Sequence, residues 1–193
     1  MNVPYVQLRE LTLDDVEDRY QWSLDRDVTK HLVVPDQYPP FTRGDTRIWI
    51  EACISRKNGY EQRAIVTEKG IHIGWVDLKN FDKTNKNAEL GIAIGNKDYW
   101  GKGFGMAALN SMLQIGFSQF ELEKIWLRVD EDNTQAKKSY ENAGFVCEGL
   151  MRNDRLRQGK FIHRYRYSIL KEEYGSKIIT YKNIMSIKKG KIK

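Results

Sequence analysis

The chain opens with a short alternation: residues 5–11 (YVQLREL) set apolar side chains around Gln7 and Arg9 with the period of two expected of a half-buried strand. The period then lengthens. After Thr12, the run LDDVEDRYQW predicts a first helix, with Asp14 and Asp15 in an opening turn where negative charge suits the helix dipole. Residues 25–41 contain Pro35, Pro39 and Pro40 and predict an irregular segment. A second helix is expected over 45–56, with Ile48, Trp49, Ala52 and Cys53 on its apolar stripe. Strand-like runs follow at 62–67, 74–80 and 88–94, bounded by turn signals at Asn58-Gly59, Lys69-Gly70 and 82–87.

Beyond residue 94 the pattern changes. A glycine-rich loop, 100–105, leads into a helix expected over 106–120, with Ala107, Leu109, Met112, Leu113 and Phe117 for its buried side. A β-branched run at 125–129 precedes a helix over 132–143, stopped by Gly144, a residue that accepts the left-handed conformation of a helix end. Two closing strands, 145–150 and 161–170, flank a Gln158-Gly159 turn. With no internal repeat or linker, the expectation is one mixed α/β domain over 1–170 and a basic C-terminal extension over 171–193.

Composition narrows the class. A chain of 193 residues, 40% hydrophobic and 30% charged, is long enough for one core and unlike disordered or fibrous chains. It has no apolar run of about 18 residues, so no membrane span is expected. The N-terminus lacks the basic and apolar regions of a signal peptide. Cys53 and Cys147 are too few for a disulfide framework, and His31, His72 and His163 show no ligand spacing. The reading is a cytoplasmic protein without a metal. Of the net charge of +6, five units fall after Leu170 and are not interleaved with an aromatic sheet face, so nucleic acid is not the expected partner.

The candidate chemistry sits in the loop WGKGFG, between an apolar strand and an amphipathic helix. The first amides of a helix bind phosphate without a positive side chain, and glycines let the backbone come close to it. Two familiar registers fail. A P-loop needs four residues where five separate Gly95 from Gly101, and a hydroxyl residue where Gly103 stands; a dinucleotide fingerprint needs Gly at Met106. Farther on, in DEDNTQAKKSYENAGF (130–145), Asn133, Ala136 and Tyr140 stand at i, i+3 and i+7 and share a helix face. They span about 10 Å along the axis.

Together these segments resemble the GCN5-related N-acetyltransferase (GNAT) family, whose pyrophosphate loop reads Gln/Arg-x-x-Gly-x-Gly/Ala. Gly103 and Gly105 take the glycine positions and Trp100 the first. NAELGIAI (87–94) and Ala107-Ala108-Leu109 fit the branch that includes ribosomal-protein N-terminal and spermidine acetyltransferases. The likeness covers 8–170 in element order, with specific motifs over 88–149. It implies an α/β (α+β) domain: a central mixed, mostly antiparallel twisted sheet, flanked by about four helices and splayed at the CoA-binding strand.

The implied activity is acyl-CoA-dependent: direct attack of a primary amine on the thioester of acetyl-CoA, with a peptide N-terminus, polyamine or amino sugar as acceptor. The resemblance gives the pyrophosphate to the loop of Trp100, Gly101, Lys102, Gly103, Phe104, Gly105 and Met106. It gives the thioester oxygen to the strand carrying Ile92, Ala93 and Ile94, which is bulged at this point in the family. Asn133 and Ala136 would contact the pantetheine arm, Tyr140 would protonate the departing thiolate, and Glu89 would take the amine's proton directly or through water. The acceptor would lie near Trp22, Tyr38, Trp49 and Glu89. Asp25, Asp27, Asp36 and Asp45 suit either polyamine binding or turns and caps, whereas RNDRLR (152–157) suits an anionic acceptor or a solvated hairpin face. A non-catalytic CoA-binding regulator with the same fold is the alternative, and homodimers, frequent among relatives, are compatible with either.

Overall fold

The structure, a computed structural model, describes residues 4–57 and 59–175; Asn58 and the basic stretch beyond residue 175 lie outside it. The elements are β1 (Val6–Glu10), α1 (Asp15–Leu24), α2 (Arg26–Thr29), α3 (Arg43–Ile54), β2 (Glu61–Thr67), β3 (His72–Asp82) and β4 (Asn87–Ile94). A 3₁₀ turn (Lys97–Tyr99) leads to α4 (Phe104–Ser118), β5 (Lys124–Asp130), α5 (Thr134–Ala143), β6 (Val146–Arg157) and β7 (Lys160–Leu170). The seven strands form one sheet in the order β1-β2-β3-β4-β5-β7-β6, antiparallel at every pairing except β4 with β5.

Alternation along the strands divides the side chains between two faces. One face is apolar: Val76, Leu78, Ala88, Leu90, Ile125, Leu127 and Val129 join Leu109, Met112 and Leu113 of α4 in the main core. The five positions expected to be buried on α4 are all buried. The other face has a small core of Ile50 and Cys53 from α3 with Leu11, Ala64 and Val66. Next to it, at positions facing the same way, lie buried Gln62, Asp77, Glu89 and Asp130. Packing alone does not call for these polar groups.

Several boundaries differ from expectation for local reasons. Asp25 accepts the Asp27 amide at 2.9 Å and starts α2 inside the segment expected to be irregular. A reciprocal capping box between Thr42 and Asp45 starts α3 at Arg43, and its buried positions are Thr46, Ile50 and Cys53. Ile48, expected on the stripe, is 67% exposed. Gly103, at φ 87°, caps α4, so Phe104 and Gly105 belong to the first helical turn rather than to the loop. Gln158 and Gly159 both take positive φ (49° and 73°), the geometry of a tight hairpin, and β6 extends to Arg157, taking RNDRLR into the strand.

The central feature is the brevity of the parallel pairing. Strand β4 keeps register with β3 from Glu89↔Lys79 to Ile94↔Gly74, but pairs with β5 only through Asn87, Ala88 and Glu89. Beyond Glu89 the two strands part. At the fork, Arg128 donates Nε and Nη2 to the two Glu89 oxygens (3.0 and 2.9 Å), and Asn80 Nδ2 adds a bond at 2.7 Å. Helix α1 is anchored separately. Buried Asp15 accepts two hydrogen bonds from Arg9 (2.6 and 2.8 Å) and one from the Thr12 amide (2.8 Å).

Arg128→Met leaves the Glu89 carboxylate buried against Asn80 alone and should destabilise by about 3 kcal/mol. Adding Glu89→Gln should recover part of that loss in thermal unfolding; strict additivity would contradict the pairing. For Asp15, burial by itself raises the pKa, but hydrogen bonds from Arg9 and Thr12 and the attraction of His72 outweigh it and hold the carboxyl below its ordinary value. A depressed folded-state pKa contributes stability that is complete above the unfolded value, about 4, and is lost as pH falls through the folded value. Asp15→Asn should therefore cost about 2 kcal/mol at pH 7 and progressively less below pH ~4. Urea unfolding at both pH values reads the difference, and an equal gap at each would refute the assignment.

Candidate active site

The glycine loop presents donors. From Gly101 to Met106 six consecutive amides have no protein acceptor among the described residues. Gly101 and Gly103 hold left-handed conformations (φ 67° and 87°), and a Cβ at Gly103 would lie 3.0 Å from Pro4 Cδ. With the first turn of α4, these amides form a cradle suited to phosphate oxygens, and exposed Lys102 adds charge beside it. Two side chains of the loop are spoken for within the protein. The Trp100 indole donates to the Ile94 carbonyl at 2.7 Å, bracing the loop against β4, and the Phe104 ring packs edge-on to Tyr99.

The resemblance implied a bulge in β4, and none is present: register with β3 is unbroken over Glu89–Ile94. Donors arise there by a simpler route. The Gly95 amide donates to the Ile73 carbonyl at 2.8 Å, continuing the β3–β4 ladder. Because bonded pairs alternate in an antiparallel ladder, the Ile92 and Ile94 amides point away from β3, into the separation from β5.

A cavity of about 840 Å³ runs through that separation and opens on both sheet faces. Leu90, Ile92, Val129, Asn133 and Tyr140 line it on the α4–α5 side; Trp22, Trp49, Trp75, Asp77, Glu89 and Arg128 line it on the other. Ala93, Ile94, Ala136 and the loop from Trp100 to Met106 are not part of its lining. The half-buried Tyr140 ring packs against Phe145 and Tyr167, and its hydroxyl makes no hydrogen bond among the described residues. Burial pushes the Tyr140 pKa up to about 12, so the phenol keeps its proton at neutral pH. Asn133 is the N-cap of α5, its Oδ1 accepting the Ala136 amide at 3.2 Å, and it lines the cavity. Glu89 is 5% exposed and carries the Arg128 and Asn80 bonds described above.

The acceptor side corrects several expectations. Trp22 and Trp49 face the cavity, and a Cβ at Gly95 would fall 2.0 Å from Trp22 Cδ2, so the strand end must be glycine for that indole to lie across it. Tyr38 does not line it; its ring is 61% exposed and its hydroxyl donates to the Leu24 carbonyl. The four aspartates weighed for polyamine binding are engaged or distant. Asp25 and Asp27 both hold Lys97 (2.7 and 3.1 Å), Asp45 closes the α3 capping box, and Asp36 is exposed outside the cavity.

Of the arginines of RNDRLR, Arg152 is exposed, but the other two are not a solvated face. Arg155 and Arg157 converge on buried Asp130 (3.2 and 2.9 Å), and Arg155 also donates to the carbonyls of His31 and Leu32, fastening the α2–α3 loop over the cavity. His31, Asp130 and Asp132 bring their ligand atoms within 4.8 Å of one another, but both carboxylates accept from Arg157, so the group is a salt-bridge network. Several cavity residues had no place in the sequence reading, among them Trp75, Asp77, Arg128 and Arg19, the last on the α1 face shared by Asp15 and Trp22. The signal for Arg19 was its i+4 spacing from Asp15, with Trp22 at i+7, on a helix face that the sheet buries.

Comparison with known proteins agrees with this geometry. The acetyltransferase (GNAT) domain matches residues 6–146. The uncharacterized N-acetyltransferase p20 of Bacillus licheniformis is 32% identical over 86% of this chain and 93% of its own length. Spermidine N(1)-acetyltransferase of Escherichia coli K12 is 30% identical over 59% of this chain and 61% of its own. The crystal structure of spermidine N-acetyltransferase from Vibrio cholerae in complex with CoA and spermine superposes with a TM-score of 0.78, at 25% identity, over 88% of this chain and 97% of that one. The forked sheet, the loop amides and the domain match agree, and the chain belongs to the GNAT family of acyl-CoA-dependent acetyltransferases.

Proposed function

We propose that this chain transfers the acetyl group of acetyl-CoA to a primary amine at the fork between β4 and β5. The observation that carries this reading is the convergence on one two-sided cavity of the outward Ile92 amide, the unbonded Tyr140 hydroxyl and the Glu89 carboxylate. The donor supplies an activated acyl carbon; the amides of Gly101–Met106 take its pyrophosphate, and Asn133 takes an amide of its pantetheine arm. The relatives named for spermidine support an amine as acceptor.

Each chemical demand has a group to meet it. An unperturbed alkyl ammonium, pKa near ~10, is only about one part in a thousand free base at neutral pH, so a proton must leave before attack. Of the roughly four acceptor sites on a carboxylate, Arg128 and Asn80 use three on Glu89. The remaining site, on Oε1, receives that proton through water. As the amine nitrogen bonds to the acyl carbon, the Ile92 amide donates to the oxygen where negative charge develops. The carbon–sulfur bond then breaks, and the Tyr140 proton passes to the departing sulfur, a transfer the raised phenol pKa makes available across the neutral range. We assign the reaction to the cytoplasm, whose reducing conditions suit Cys53 and Cys147, which are not joined in a disulfide.

Tyr140→Phe should lower kcat by about 100- to 1,000-fold while changing the acetyl-CoA dissociation constant by less than about threefold, since the lost proton matters only as the thiolate leaves. Steady-state kinetics with calorimetric binding separates the two. An unchanged kcat would remove Tyr140 from the mechanism. Acetyl-CoA binding without transfer to any amine, in wild type as in the variant, would favour the regulatory reading.

A further inference from the structure

We infer that the amine acetylated by this chain carries an anionic group, a carboxylate or a phosphate, which docks on Arg19. This rests on the transferase reading and deepens it to a class of acceptor. Arg19 projects from α1 into the cavity with its guanidinium carbon 3.7 Å from the Trp49 ring centroid and 4.0 Å from that of Trp75. Stacked between two indoles, the planar group is held by its faces. Its five N–H donors lie along the edge, the geometry that recognises carboxylate or phosphate oxygens two at a time.

Those donors make no hydrogen bond or ion pair with any described residue. The other cations lining the cavity differ: Lys79 is held by Asp77, Arg128 by Glu89, Arg155 by Asp130 and Arg164 by Asp154. The cavity carboxylates are committed in the same way, Asp45 within its helix cap. Asp77 acts on Arg19 through space only, its oxygens holding Lys79 and Gln62 at 3.2 Å. Burial pulls the Arg19 pKa down to about 10, which still leaves it cationic at neutral pH. Among the described residues the cavity therefore offers one uncompensated positive charge with unused donors, on the face opposite Tyr140. A polycation gains no free carboxylate there and meets repulsion from Arg19. An amine with an oxyanion at the far end satisfies the guanidinium while its nitrogen reaches the fork, and Trp22, Trp49 and Trp75 suit an apolar or flat middle.

The test uses the full chain, acetyl-CoA and matched acceptor pairs: tyrosine with tyramine, a dipeptide with its C-terminal amide, phosphoethanolamine with ethanolamine, and spermidine alone. The inference expects kcat/KM at least about tenfold higher for the anionic member of one pair, since a lost charge-assisted contact is worth at least that factor. Whether an acid or the phosphate pair responds identifies the oxyanion. Arg19→Gln should abolish that preference by raising KM for the anionic acceptor about 10- to 100-fold, with kcat/KM for the neutral partner and KM for acetyl-CoA within about threefold. Arg19→Lys should restore part of the preference. A merely structural arginine would depress both members of a pair alike. If neutral amines or spermidine are preferred by wild type, this inference is overturned while amine acetylation stands, a result that does not depend on any variant folding. If acetyl-CoA binds and no amine is acetylated, both readings fall together.

Discussion

The molecule depends on a ladder that stops early. Two neighbouring parallel strands would ordinarily pair along their length, because each unpaired backbone group in a buried sheet has a cost. Here β4 and β5 share three residue pairs and then diverge; of the backbone groups released, the Ile94 carbonyl accepts from Trp100, and the outward Ile92 amide is left facing the cavity. Glu89 and Arg128 sit where the ladder ends. Their paired charges and the Asn80 bond satisfy one another at the fork, and β3 keeps β4 in register beyond it. Glu89 and the outward Ile92 amide are therefore held by the regular sheet.

The division of the sheet into an apolar and a polar face follows from the same constraint. On the α4–α5 side the opening is walled by aliphatic side chains and ends at Tyr140, whose burial keeps its proton in place. On the α1–α3 side the wall is three tryptophans and a set of buried charges, nearly all of them paired. Arg155 adds a tie at the far end, carrying the α2–α3 loop on Asp130 so that loop, helix and sheet enclose one space. The two sides of the opening are thus built from different chemistry and meet only at the fork.

The elements we propose for the donor were legible in the sequence because they are local. A glycine loop entering a helix, and Asn133, Ala136 and Tyr140 on one helix face, are read from spacing alone. Cap chemistry shifted the boundaries: Gly103 pulled α4 into the loop, and the Thr42–Asp45 box moved α3. The proposed acceptor side was not legible, because its meaning lies in pairings across distances no local pattern records. Asp25 and Asp27 lie some 70 residues from the Lys97 that neutralises them. Arg155 and Arg157 looked like hairpin surface until Asp130 was seen beneath them. Arg19 looked like any helix arginine, and only the absence of a partner among the described residues, with Trp49 and Trp75 closing on its faces, distinguishes it.

The central claim is that the released amides of β4 and the loop amides before α4 together hold the acyl donor. Backbone hydrogen exchange with and without saturating acetyl-CoA measures this directly, residue by residue. Exchange should slow mainly at Ile92, at Gly101–Met106 and around Asn133, with β1 and the β6–β7 hairpin tip unchanged. Donor binding that leaves Ile92 and the loop exchanging as in the free protein would contradict it.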